Sequence, residues 1–103
     1  MKVERKNKET AIIIPQGRID ITNSQDLKQK MLLLYEDDFK YILLDFTNVT
    51  AIDSSGLGKL LLFQKKLRER GGELKIINIS SDYVRKMFEI IHLYKVINIE
   101  GQY

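Results

Sequence analysis

The sequence predicts an α/β domain on a mostly parallel sheet, with the element order β-β-α-β-α-β-α-β. Apolar, largely β-branched runs at 11–14, 41–46 and 74–79 read as strands. Between and after them lie three stretches in which apolar residues recur three or four positions apart, the period of a helix packed on one side. Strands that alternate with helices favour parallel pairing through right-handed crossovers.

Taken in order, residues 3–8 read as a polar, exposed strand that turns at Asn7 and Lys8 into its buried neighbour at 11–14. Thr22, Asn23 and Ser24 are all helix N-cap types, and Leu27, Met31, Leu34 and Tyr35 then share one face, which predicts a first helix over 24–36. Glu36, Asp37 and Asp38 break the pattern. The near-continuous apolar run at 41–46 is that of a strand buried on both faces, and therefore central. A second helix starts near Ser54 or Ser55, carries Leu57, Leu60, Leu61 and Leu67, and stops at Gly71 and Gly72. Its polar face is Lys59, Gln64, Lys66 and Arg70. After the strand at 74–79, Ser80, Ser81 and Asp82 offer caps for a third helix bearing Val84, Met87, Phe88 and Ile91, and 96–99 forms a short closing strand.

The 103 residues suit one domain, 1–103, and 44% hydrophobic with 30% charged residues is the balance of a water-soluble globular chain. No cysteine is present, which removes disulfides, thiolate zinc sites and cysteine nucleophiles and fits a reducing, cytoplasmic setting. Residues 1–10 alternate Lys, Arg and Glu, and no apolar run approaches the roughly 20 residues of a membrane span, so membrane insertion is not expected. The net charge of +3 comes from lysines and arginines interleaved with acids throughout, a solvated surface rather than a nucleic-acid stripe.

Catalytic chemistry finds little support. His92 is a lone imidazole at the end of the third helix, and Asp37 and Asp38 are adjacent turn acids without a clustered partner. Gly56 and Gly58 are too few and too close for a Walker loop or a dinucleotide fingerprint. An enzyme hydrolysing a nucleotide at this loop would need a phosphate cradle, metal carboxylates and an activated base, none of which is recognisable. No catalytic activity, metal or cofactor is expected.

The informative segment is 50–58, which joins a strand-like run to a helix through small and capping residues. Asp53, Ser54 or Ser55 could cap the helix, but two glycines in its first turns each cost about 1 kcal/mol relative to alanine and ask for another reason. One reason is access: glycines strip side chains from around the helix start, so a partner can approach the Ser54 hydroxyl.

Asp53-Ser54-Ser55-Gly56-Leu57-Gly58 resembles the phosphorylation loop of the bacterial anti-sigma factor antagonists, a family of STAS domains. The resemblance extends to Gly17, Arg18, Ile19 and Asp20, to Leu27, Lys28, Gln29 and Lys30, and to Gly71, Gly72 and Glu73, and so covers nearly the whole chain. It implies the STAS fold, with helices packed largely on one side of the sheet and one strand added in front. It implies that the unphosphorylated protein binds an anti-sigma factor that is also a serine kinase and so releases a sigma factor. Phosphorylation of Ser54 then ends the contact, and a serine phosphatase is expected to restore it. The implied partner-binding surface comprises Asp20, Asp53, Ser54, Ser55, Gly56 and Gly58, with Thr22 and Asn23 at its rim. From the residues alone, Asp20 is equally a turn acid, Asp53 either orients Ser54 or caps the helix, and capping explains Thr22, Asn23 and Ser24 adequately. An alternative within the same family is a scaffold, or a subunit of a stress-signalling or lipid-transport complex, without sigma-factor control.

Overall fold

A computed structural model describes residues 1–101, so Gln102 and Tyr103, the end of the expected 1–103 domain, lie outside the described residues. The chain forms β1 (Lys2–Arg5), β2 (Thr10–Ile14), β3 (Gln16–Ile19), α1 (Ser24–Glu36), β4 (Tyr41–Asp45), β5 (Asn48–Ile52), α2 (Ser54–Glu69), β6 (Glu73–Ile77), α3 (Asp82–Ile90), a 3-10 turn (Leu93–Lys95) and β7 (Asn98–Ile99). Five strands make one sheet in the order β1-β2-β4-β6-β7, with β4 at its centre as expected. Only the β1–β2 hairpin is antiparallel within it. Asn7 holds that hairpin's turn by accepting hydrogen bonds from the backbone of Glu9 and Thr10.

Parallel registers stack the apolar residues of one sheet face into rows. Ala11, Ile42 and Leu74 form one row, and Ile13, Leu44, Ile76 and Ile99 the next, all of them buried. Against this face pack α1 and α2 through Leu27, Met31, Leu34, Leu60, Phe63 and Leu67, each fully out of water. The opposite face is only partly covered, with Tyr41 exposed, Leu43, Asp45 and Lys75 half-buried and Ile12 buried. This corrects the reading of 41–46 as a strand covered on both faces. Ile42, Leu44 and Phe46 point into the core while the residues between them do not, so the apolar run conceals a two-residue alternation.

Two strands escaped the sequence. β3 and β5 pair in parallel as a separate two-stranded ribbon. Pro15, which lacks an N–H for the ladder, separates β3 from β2 by a single residue, and Gly17 adopts φ +71° where the register shifts. Four residues with a left-handed glycine in the middle carry no legible strand pattern. β5 begins only three residues after β4 ends, inside the stretch that reads in the sequence as a connection into the second helix. The closing strand is also shorter than 96–99, because residues 93–95 wind into a 3-10 turn after His92, which sits at φ 56° beyond the end of α3.

Gln64 is a second correction. The sequence pattern puts it on the polar face of α2, yet it is only 4% exposed. Its side-chain amide donates to the carbonyl of Val96 at 2.8 Å and accepts the N–H of Leu74 at 2.8 Å, so one residue ties α2 both to the start of β6 and to the segment leading into β7. Its neighbours Lys66 and Arg70 instead lie over the Tyr35 ring of α1, at 5.4 and 3.5 Å from its centroid. Replacing Gln64 with Leu keeps the volume and orphans the buried N–H of Leu74 and the part-buried C=O of Val96. The variant is expected to lose about 1–3 kcal/mol per unpaired group, measured as a shift in the urea midpoint at unchanged slope.

Candidate functional site

The β3–β5 ribbon builds the site. Ile19 pairs with Ile52, and the backbone N–H of Asp53 donates to the carbonyl of Ile19 at 3.0 Å, so the two strands end side by side. Each ends in an aspartate. Asp20 opens the loop into α1 and Asp53 opens α2, and the two carboxylates are close enough for Asp53 to oppose the ionisation of Asp20. The implied surface residues therefore do come together, from two segments more than thirty positions apart in the chain.

Both aspartates shape their loops in the same way. Asp20 accepts from the Thr22 hydroxyl at 2.5 Å and from the Thr22 N–H at 3.0 Å. Asp53 accepts from the Ser55 hydroxyl at 2.5 Å and from the N–H groups of Ser55 and Gly56 at 2.9 and 3.2 Å. It is thus the N-cap of α2, satisfying amides that the helix itself leaves free. These hydrogen bonds, led by the Thr22 and the Ser55 hydroxyls respectively, hold both carboxyls below the usual aspartate range.

Asp53 engages the second serine and leaves the first alone. Ser54 is exposed, and its hydroxyl makes no hydrogen bond among the described residues, whereas Ser55 is half-buried and bound to Asp53. Asp53 therefore resolves as a cap rather than as a group orienting the Ser54 hydroxyl.

The rim is built differently from a row of caps. Thr22 is spent on Asp20. Asn23 occupies the N-cap position of α1 but makes no side-chain cap bond; instead its side chain accepts from the Asp20 N–H and donates to the Arg18 carbonyl, fastening the loop to β3. Ser24 is buried as the first residue of α1. Between Asp20 and Thr22, Ile21 stands 79% exposed, a large apolar side chain on the loop beside Ser54 that sequence reasoning passed over. The recurrence of Asp-x-Thr or Asp-x-Ser at 20–22, 45–47 and 53–55 was the available signal, because in each case the aspartate accepts from the hydroxyl two residues on and thereby fixes the loop.

The two glycines have separate explanations. A Cβ on Gly56 would lie 2.7 Å from Ile19 Cγ2 and 2.8 Å from Ile52 Cγ1, so Gly56 is buried where α2 rests on the ribbon. Its reason is packing, which corrects the view that both glycines clear the surface for a partner. Gly58 is exposed and a Cβ there would meet nothing within 4 Å. It alone leaves open space one turn along from Ser54.

The sequence profile of the STAS domain family matches residues 2–102. The chain belongs to the STAS domain family, among the anti-sigma factor antagonists. It is 33% identical over 88 residues to the anti-sigma-B factor antagonist of Bacillus subtilis, covering 84% of this chain and 77% of that one. The anti-sigma-B factor antagonist of Listeria monocytogenes is 28% identical, over 99% of this chain and 91% of its own. Among solved structures, the unphosphorylated anti-sigma factor antagonist SpoIIAA superimposes with a TM-score of 0.81 at 24% identity, covering 98% and 88% of the two chains. The phosphorylated form of the Bacillus cell fate determinant SpoIIAA gives 0.74 at 22% identity, over 98% and 91%. These two share the STAS fold seen here. No helix among the described residues is long and apolar enough to cross a membrane.

Two outcomes follow from the geometry of this STAS domain. Gly56→Ala is expected to destabilise by about 1–3 kcal/mol through overpacking against Ile19 and Ile52, while Gly58→Ala is neutral or gains up to about 1 kcal/mol in helix propensity; chemical denaturation of the pair separates them. Because the folded carboxyl of Asp53 is lowered, its stabilisation is complete above the unfolded value near 4 and fades as pH falls through the folded one. Asp53→Asn still caps but does not titrate, so its melting temperature should fall less than that of the parent between pH 7 and pH 3.

Proposed function

We propose that this domain is a phosphorylation-gated docking partner in the cytoplasm. Unmodified, it binds an anti-sigma factor through the surface that joins Asp20, Ile21, Asp53, Ser54 and Gly58, and so frees the sigma factor which that protein restrains. The anti-sigma factor is also the kinase that phosphorylates Ser54, and a serine phosphatase resets the switch. Catalysis belongs to those partners, and this chain contributes the recognition surface and the acceptor hydroxyl.

The reading rests on one observation above the others: of two adjacent serines at the start of α2, Ser54 is exposed with a free hydroxyl while that of Ser55 is held by Asp53. A kinase must reach the hydroxyl and remove its proton, and only Ser54 offers it without first breaking the cap. The physical consequence of phosphorylation follows from its position. A phosphate adds about −1.5 to −2 charge and three acceptor oxygens. At the first residue of a helix that charge is tolerated, worth about 0.3–1 kcal/mol in favour of the helix. Toward a partner the effect is opposite, because the new charge joins the carboxylates of Asp20 and Asp53 on the docking face. A loss of about 4 kcal/mol in binding already weakens affinity roughly a thousandfold, so no rearrangement of the fold is needed.

Incubation with the anti-sigma factor encoded nearest this gene and ATP, followed by peptide mapping, is expected to place a single phosphate on Ser54; phosphate on Ser55 with Ser54 bare refutes the assignment. Ser54→Asp should lose anti-sigma binding at an unchanged melting temperature, whereas Ser54→Ala should bind and resist phosphorylation. Retained binding by the aspartate variant would return the domain to the scaffold or transport-subunit reading.

A further inference from the structure

The exposed residues of α2 do not stop at its first turn. Ser54, Gly58, Leu61, Lys65 and Arg68 succeed one another at steps of four, three, four and three, and all five are exposed. They form one ridge that begins at the Ser54 end and runs the length of the helix. Alongside its far half, the 3-10 turn and the residue after it leave an open groove of about 330 Å³ between Leu61, Gln64, Lys65 and Arg68 on one side and Lys95 and Val96 on the other. Leu61, 41% exposed, and Val96, 54% exposed, give it an apolar lining. Around that lining stand three cations, Lys65, Arg68 and Lys95, and none of them takes part in an ion pair among the described residues. Glu69, one turn on from Lys65, does not pair with it either.

The ridge is therefore electrically two-ended. At its start lie the carboxylates of Asp20 and Asp53, with the Arg18 cation near Asp20, and at its far end Lys65, Arg68 and Lys95 outnumber Glu69 around an apolar strip. Positive charges held around exposed aliphatic side chains are complementary to acidic residues that flank an apolar side chain. We propose that this groove is a second docking element, one that receives an acidic segment of the anti-sigma factor carrying an apolar anchor, and that it extends the Ser54 surface along α2. Seating of the apolar anchor on Leu61 and Val96 removes both from water, while Lys65, Arg68 and Lys95 clamp the flanking acids. Gln64 fixes the groove's width, because it holds the Val96 carbonyl to α2 from below. The two ends, opposite in sign, admit the partner in one orientation only.

This inference rests on the switch reading of Ser54, and its test keeps the two apart. Binding of the anti-sigma factor encoded nearest this gene is measured by calorimetry for four proteins: the parent, Ser54→Asp, the triple reversal Lys65→Glu, Arg68→Glu, Lys95→Glu, and a control reversal Lys6→Glu, Lys8→Glu in the exposed β1–β2 turn. The triple variant is expected to bind at least about tenfold more weakly and with a flatter dependence on salt, while the control binds as the parent does. All substituted positions are exposed, and equal melting temperatures establish that folding is intact. A milder triple, with Gln at the three positions, should fall between parent and reversal. If the parent binds and Ser54→Asp does not, yet both triples bind as tightly as the parent, the groove is overturned and the switch stands. An equal loss in the control reduces the effect to net charge and overturns the groove likewise. Failure of the parent to bind, or undiminished binding by Ser54→Asp, overturns the switch reading and the groove with it.

Discussion

The arrangement of this domain depends on a short parallel pairing, that of Gln16–Ile19 with Asn48–Ile52. The large sheet supplies the core, but the ribbon decides what is displayed. By bringing Ile19 against Ile52 it delivers two strand ends, two aspartates and two helix starts to one edge of the molecule. Gly56 is the complement of that pairing: only a residue without a Cβ lets α2 descend onto the two isoleucines. The site is thus specified by an apolar contact beneath it, while the polar residues above it adjust to fit.

Those polar residues divide into fixed and free. The three loops at 20–22, 45–47 and 53–55 each use an aspartate to bind the hydroxyl two positions on. In each the side chain of the middle residue is left out of this bonding: that of Phe46 turns into the core, that of Ile21 stands in solvent, and that of Ser54 is exposed with no hydrogen bond among the described residues. One loop design therefore serves packing once and display twice. What sets 53–55 apart is that its displayed residue is a hydroxyl at the positive end of a helix.

Much of this was legible in the residues. The helix over 24–36, the central place of the strand from Tyr41, a cap among residues 53–55 and the family itself follow from periodicity, from capping chemistry and from six consecutive residues of one loop, while the choice of Asp53 among the cap candidates does not. The failures share a physical cause. β3 and β5 are four and five residues long and pair only with each other, so neither shows the long apolar run or the flanking turns by which strands are recognised. Gln64 read as surface because a polar residue is usually exposed, and the bonds that justify its burial come from Leu74 and Val96, which no local pattern connects to it. Gly56 looked like a residue that clears a surface, because its two crowding isoleucines lie on strands that were not seen.

The division of labour between Asp53, Ser55 and Ser54 has an evolutionary corollary. The helix cap closes through Ser55 and Gly56, and the neighbouring hydroxyl makes no hydrogen bond among the described residues. Under the switch proposed for Ser54, lineages that drift at position 54 lose regulation while expressing a chain that folds as well as its ancestor. Natural selection sees such a change only through misregulated genes, and a screen for well-folded protein would pass it unnoticed.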